Sequence, residues 1–126
     1  VMMHTVPFEG SVGLVNLLTT TRIVRKGFST TLALYGPGVL MAEAGRGFPI
    51  VGEEGCPGNL SMNKQITTIM EEGGTVNACR FAMTALYGMS ERDIMENVKP
   101  FHPLDVLDCL IDHWRDGALV IATWTL

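Results

Sequence analysis

The apolar positions of the chain form short continuous runs that alternate with segments of helical periodicity. The apolar runs predict strands at 1–6, 28–35, 75–79 and 118–124. The helical spacings predict helices at about 12–26, 62–72, 80–87 and 103–116. Strands that alternate with helices indicate βαβ units, and unbroken apolar strands are typical of a sheet covered on both faces. We therefore predict a single α/β domain over residues 1–126, a three-layer sandwich with a mainly parallel sheet.

Two helix starts carry specific signals. Pro103 suits the first position of the last helix, and His102 before it is expected to cap that helix. Ser90 and Asp93 resemble a capping box that opens a short helix to about residue 96. The last helix carries an apolar stripe, expected to face the core, which comprises Leu104, Leu107, Leu110, Ile111 and Trp114.

Residues 36–60 differ in composition from the rest of the chain. This segment holds seven of the 14 glycines and three of the six prolines. A loop of this length is uncommon in a compact domain and is typical of a functional or mobile segment. We expect a Gly/Pro-rich loop, interrupted by a short helical turn near 38–44, that acts as a lid over a ligand cleft.

Composition excludes several classes of function. With 47% hydrophobic and 17% charged residues, the chain is expected to be globular, and its net charge of −4 without a basic stripe excludes a nucleic-acid partner. No apolar run approaches the roughly 18 residues of a membrane span, and no signal peptide is visible. The three cysteines have no paired spacing, which argues against disulfides and favours a cytoplasmic location.

The sequence carries no recognisable cofactor or metal motif. The segment GSVGL at 10–14 lacks the lysine and the spacing of a phosphate-binding loop, although the helix that follows it could bind an anion. The histidines and cysteines show no ligand spacing. We therefore expect neither a metal nor a cofactor.

The candidate site lies where the predicted strands end. In a parallel sheet, ligands bind at the carboxyl ends of the strands, at the point where the strand order reverses. Cys79 ends a strand at the start of a helix, where helix dipole and Arg80 would stabilise a thiolate. Candidate ligand-binding residues at other strand ends are His4, Glu9 and Tyr35.

Each of these residues also has a purely structural interpretation. Cysteine is among the residues most often buried, so Cys79 can be an inert packing residue. His4 can be a core histidine bonded to a carbonyl, and Glu9 a solvated loop carboxylate. Asn63, after the long loop, is expected in solvent rather than in the cleft. Cys56 is either a second thiol that meets Cys79 or an incidental loop residue.

Several segments resemble a known family. GGTVNACRFAMTALYGM resembles the strand–cysteine–helix–glycine segment of DsrE-like proteins. HTVPFEGSVGLVNLL, KGFSTTLALYGPGV, RGFPIVGEEGCPGN and RDGALVIATWTL look like its nitrogen-starvation response branch, encoded near nitrilase gene clusters in bacteria. The resemblance implies a three-layer α/β sandwich that assembles as a homotrimer or homohexamer. It also implies that Cys79 matches the cysteine on which sulfur-relay members carry a persulfide.

The sequence leaves two main functions open, and a third alternative is a purely structural subunit whose Met and Leu surfaces serve assembly. The first is a binding or regulatory protein linked to nitrogen metabolism, whose small-molecule ligand lies between His4, Glu9, Tyr35 and Cys79. The second is a persulfide carrier or transferase that uses the thiolate of Cys79. Because no general base, metal site or cofactor motif accompanies the cysteine, we favour the first.

Overall fold

A computed structural model describes residues 1–7, 12–45 and 62–124. Its strands form a five-stranded sheet in the order β4-β3-β2-β1-β5, and every pair of neighbouring strands is parallel. The α/β class and the parallel sheet predicted from the sequence are therefore confirmed. The strands are β1 (Met2–His4), β2 (Thr31–Leu34), β3 (Thr75–Cys79), β4 (Lys99–Phe101) and β5 (Ala122–Trp124).

Three α-helices flank this sheet. Helices α1 (Val12–Arg25) and α2 (Met62–Glu71) pack against each other, and α3 (Pro103–Arg115) connects β4 to β5. The start of α3 agrees with the sequence, because Pro103 occupies the first turn and His102 Nδ1 accepts a hydrogen bond from the Leu104 amide at 3.2 Å. Within the described ranges, no helix is both long and apolar enough to cross a membrane.

The side chains of alternate strand residues divide the sheet into two faces. On one face, the fully buried Met3, Leu34 and Val76 belong to the same apolar core as Leu17 of α1 and Ile66 of α2. Burying a side chain of this size stabilises a fold by about 1.5–3 kcal/mol, so these layers dominate the folding energy. The other face carries Met2 and Ala33 and lies beneath α3.

Several predicted elements are shorter than expected or differ in type. Residues 28–30 and 118–121 are not strand, so β2 and β5 are shorter than their apolar runs. The expected helical turn after β2 is a 3-10 helix at Gly36–Ala42. In place of the helix predicted at 80–87, helical structure begins at Arg80 and becomes a π-helix at Ala82–Leu86. The capping box at Ser90 opens a 3-10 helix that ends at Asp93, earlier than the predicted end near residue 96.

Strand β4 was missing from the sequence prediction. It consists of Lys99, Pro100 and Phe101 and lies at the edge of the sheet beside β3. A proline with a charged neighbour normally argues against a strand, and edge positions are where sheets tolerate both.

The predicted orientation of α3 was wrong. Its expected core-facing stripe is largely exposed: Leu104 is 61% and Trp114 71% accessible, while Val106 is buried. The helix therefore packs through the side that carries Val106 and the half-buried Leu110. His113 is half-buried on this inward side.

Candidate functional site

Three of the predicted site residues lie in one row on the face beneath α3. His4 ends β1 and Cys79 ends β3, and the strand register places Tyr35, just after β2, beside both of them. The rings of His4 and Tyr35 are in contact, with centroids 5.1 Å apart. An imidazole, a phenol and a thiol thus follow one another across the carboxyl end of the sheet.

The spacing of this row limits its chemistry. Neighbouring strands lie about 4.8 Å apart, so His4 and Cys79, two strands apart, are separated by roughly 10 Å. A general base must reach the proton it removes at about 3 Å. In this arrangement Tyr35 lies between His4 and Cys79, and the row is suited to contacting a ligand at several points.

The glycines after β2 bring the 3-10 helix close to this row. A Cβ on Gly36 would lie 2.4 Å from His4 Nε2, and a Cβ on Gly38 would lie 2.3 Å from the Met3 carbonyl oxygen. Real Cβ atoms essentially never come this close, so a larger residue at either position would force its neighbour to move. The segment GPG consequently covers the end of β1 and holds the imidazole of His4 against the sheet.

The segments that follow β2 and β3 are joined to each other. The Ala44 amide donates to the Asp93 carbonyl at 2.7 Å, and the Met95 amide donates to the Ala42 carbonyl at 2.8 Å. Asn63 adds side-chain bonds to the carbonyls of Met41 and Glu43. Asn63 therefore connects α2 to the end of the 3-10 helix that follows β2. The expectation that Asn63 lies in solvent was wrong.

Cys79 and Arg80 occupy different environments although they are neighbours. Cys79 is 8% accessible and belongs to the core cluster. Arg80 is exposed, and its Nε lies 2.5 Å from Glu91 Oε1. Because Glu91 partly neutralises this guanidinium, less of its charge is available to a thiolate. The role of Arg80 as a thiolate stabiliser stays a prediction.

Tyr35 contributes a neutral phenol to the row. Burial raises the pKa of Tyr35 above its ordinary value, because the ionised form would lose hydration. At neutral pH the hydroxyl therefore keeps its proton and can donate a hydrogen bond to a ligand.

Asn77 is a residue of interest that the sequence reasoning missed. It lies on the same face as Cys79, two positions earlier in β3, and is 2% accessible. Its Oδ1 atom accepts no hydrogen bond from the described part of the chain. A buried polar atom without a partner is rare and calls for an explanation. The available signal was the single amide in the otherwise small and apolar strand TVNAC.

A second polar group occupies the point where the strand order reverses, between β1 and β5. The Thr5 and Thr123 hydroxyls are 2.9 Å apart, and Asn16 Nδ2 of α1 donates to Thr5 Oγ1 at 3.2 Å. Because each of these side chains is bonded to another, this group joins α1 to the sheet.

Two other predicted residues, Glu9 and Cys56, lie outside the described residues, as does most of the predicted lid, residues 46–60.

The described residues contain no group of three or more histidine, cysteine or acidic side chains that could hold a metal ion. The polar atoms of the row are those of His4, Tyr35 and Cys79. What they offer to a ligand is hydrogen bonding and ring contact.

Comparison with known proteins identifies the fold. Neither a family model nor a curated protein sequence matches the chain. Among solved structures, the ychN protein of E. coli superposes with a TM-score of 0.70 at 13% identity, covering 99% of this chain and 96% of that protein. Similarity at this level of identity concerns the architecture alone. With its parallel five-stranded sheet flanked by helices, the chain has a DsrE-like α/β fold.

Proposed function

We propose that this protein binds a small molecule at the carboxyl end of its sheet and acts as a binding or regulatory protein. The observation that supports this most is the row formed by His4, Tyr35 and Cys79. Three side chains of different chemistry lie side by side at the carboxyl end of the sheet, where parallel sheets commonly bind ligands, and the segment GPG packs against the first of them, His4. Among the described residues of the row, His4 is the base, and β2 separates its strand from that of Cys79, which favours binding over turnover.

The proposal includes a link to nitrogen metabolism, which rests on the sequence segments similar to the nitrogen-starvation response branch. It is tested by ligand-observed NMR with a panel of amino acids, amides and nitriles. We expect at least one compound to bind, and its binding to weaken in His4→Ala and Tyr35→Phe. Lys26→Ala, at an exposed position just after α1, is the control that should bind normally. Binding that is equal in all four proteins would refute the site.

A second candidate function is a persulfide carrier, favoured by the position of Cys79 as the last residue of β3. The thiolate would attack the outer sulfur of a donor persulfide. A new sulfur–sulfur bond forms on Cys79, the donor's own sulfur–sulfur bond breaks, and the donor leaves as a thiolate. This step requires an accessible thiol, whereas Cys79 is nearly buried.

Intact mass and alkylation distinguish the two candidates. Purified protein is weighed with and without reductant, and iodoacetamide labelling is then mapped to each cysteine. A carrier gains one or more sulfur atoms on Cys79, removable by reductant, and Cys79 labels quickly. Unmodified protein with slow labelling of Cys79 favours the binding function. N-acetylcysteine labelled under the same conditions is the reference for ordinary reactivity, because burial raises the pKa of the Cys109 thiol.

We also propose that the protein assembles as a homotrimer or homohexamer. The exposed apolar side of α3 supports this, because four large side chains lie there without cover from the described residues: Leu104, Leu107, Ile111 and Trp114. Light scattering should give three or six times the chain mass of 13.7 kDa. Leu107→Glu with Ile111→Glu should lower that mass, and Asp108→Lys on the acidic side should leave it unchanged.

A further inference from the structure

A second concave region lies at the opposite, amino end of the strands. It is a cavity of about 450 Å³ between the last half of α3 and the starts of β1, β2 and β5. This volume is within the range of small-molecule sites. Its walls include Met2, Ala33 and Leu110, together with the segment 117–121.

The lining of this cavity is largely apolar. No aspartate, glutamate, lysine or arginine side chain lines it within the described ranges, and its side-chain polar groups are Cys109, His113 and the hydroxyls of residues 29–31. Burial raises the pKa of the Cys109 thiol, so the thiol is neutral at physiological pH. The backbone nitrogen of Val1 donates a hydrogen bond to the Thr31 carbonyl oxygen at 2.8 Å at the edge of the cavity. These groups favour an uncharged, apolar ligand body.

An acidic recess adjoins the cavity along α3. It shares Cys109 and His113 with the cavity and is otherwise lined by Phe101 and by four aspartates: Asp105, Asp108, Asp112 and Asp116. None of these aspartates forms an ion pair with a described lysine or arginine, since the described pairs join Arg25 with Glu72 and Arg80 with Glu91. The carboxylate of Asp112 is close enough to Cys109 to act on its pKa.

We propose that this composite site binds an amphipathic cation, with its apolar body in the cavity and its amine or quaternary ammonium group at the aspartates. Two adjoining features define the ligand. The cavity selects an apolar body, and the recess supplies negative charge at one end of it. Charge complementarity excludes fatty acids and other anionic amphiphiles. The cavity lies at the other end of the strands from the His4–Tyr35–Cys79 row, whereas the recess extends along α3 to Phe101, the strand partner of Cys79.

Three naphthalene compounds that differ in charge test the proposal: 1-naphthylmethylamine as the cation, 1-naphthylmethanol as the neutral compound and 1-naphthoate as the anion. Binding is measured by equilibrium dialysis. We expect the cation to bind roughly fivefold tighter than the alcohol, the size of an exposed ion pair, and the anion to bind most weakly. Asp108→Asn with Asp112→Asn should remove the preference for the cation and leave the affinity for the alcohol unchanged.

Protection of the thiol locates the bound compound. The cation should slow iodoacetamide labelling of Cys109 without slowing that of Cys79. The proposal is overturned if no compound binds, if the anion binds as well as the cation, or if Cys79 is the protected thiol. It is also overturned if labelling of Cys109 slows with rising protein concentration alone, because a second copy of the chain then covers the cavity.

Discussion

The contact between Gly36 and His4 makes a quantitative prediction. In Gly36→Ala, the new Cβ would lie 2.4 Å from His4 Nε2, and the backbone at residue 36 has a positive φ of 50°. Two costs therefore add. The left-handed conformation costs a residue with a Cβ about 1–2 kcal/mol, and overpacking costs about 1–3 kcal/mol. We expect Gly36→Ala to lower the free energy of unfolding by roughly 2–5 kcal/mol.

Two matched variants separate these costs. Gly27 has a φ of 87° and nothing within 4 Å of its Cβ position, so Gly27→Ala should show only the conformational cost of about 1–2 kcal/mol. Gly38 does not have a positive φ, and its Cβ would meet the Met3 carbonyl. Because a strand backbone moves less readily than a side chain, Gly38→Ala should be the most destabilising of the three.

Urea unfolding followed by circular dichroism gives the three free energies, with an unchanged slope as evidence of two-state behaviour. A double-mutant cycle with His4→Ala then isolates the contact itself. We expect Gly36→Ala to cost less when the imidazole is absent. Equal costs for Gly36→Ala and Gly27→Ala, or no relief from removing the imidazole, would refute the placement of GPG over the end of β1.

Three further predictions concern stability. Val106→Ala should lower the free energy of unfolding by about 1.5–2.5 kcal/mol because it removes buried methyl groups. Leu107→Ala should lower it by less than about 0.5 kcal/mol in the monomer, because Leu107 is exposed. If urea unfolding gives the reverse order, α3 is rotated relative to the structure. The Ser90 amide and hydroxyl lower the pKa of Asp93, so this carboxylate stabilises the fold above its ordinary pKa and loses that effect as pH falls through the lowered value. Thermal unfolding of Asp93→Asn should therefore decline less steeply than wild type on acidification, and parallel curves would contradict the capping role. Asn77→Leu, nearly the same shape, should raise the free energy of unfolding by up to about 1 kcal/mol because it removes the buried Oδ1; a marked loss would mean that this atom has a partner in solution.

The sequence predicted the sheet well where its signals were local. The run TVNAC forms a strand with the predicted bounds, and His102 caps α3 as expected. Parallel strands pair with segments that are distant in the sequence. The adjacency of His4, Tyr35 and Cys79 could therefore be known only after the strand order was known. The sequence indicated only that each lies at a strand end.

The errors have physical causes. Helix α3 has apolar residues on two sides, Leu107 and Trp114 on one and Val106 and Leu110 on the other. Periodicity alone cannot decide which side packs against the sheet. The π-helical turn at Ala82–Leu86 depends on tertiary packing that no local pattern reports. Strand β4 violates the usual composition of strands because it lies at the edge.

That edge position limits how the sheet can grow. Pro100 lacks an amide hydrogen, and the exposed Lys99 beside it carries a charge. A strand from another molecule that approached β4 would find an interrupted ladder and would have to desolvate an ammonium group. Fibre formation by strand templating is therefore suppressed at this side of the molecule. If copies of the chain assemble as proposed, their contacts at this side would involve side-chain surfaces, where geometry can close an assembly at a finite size.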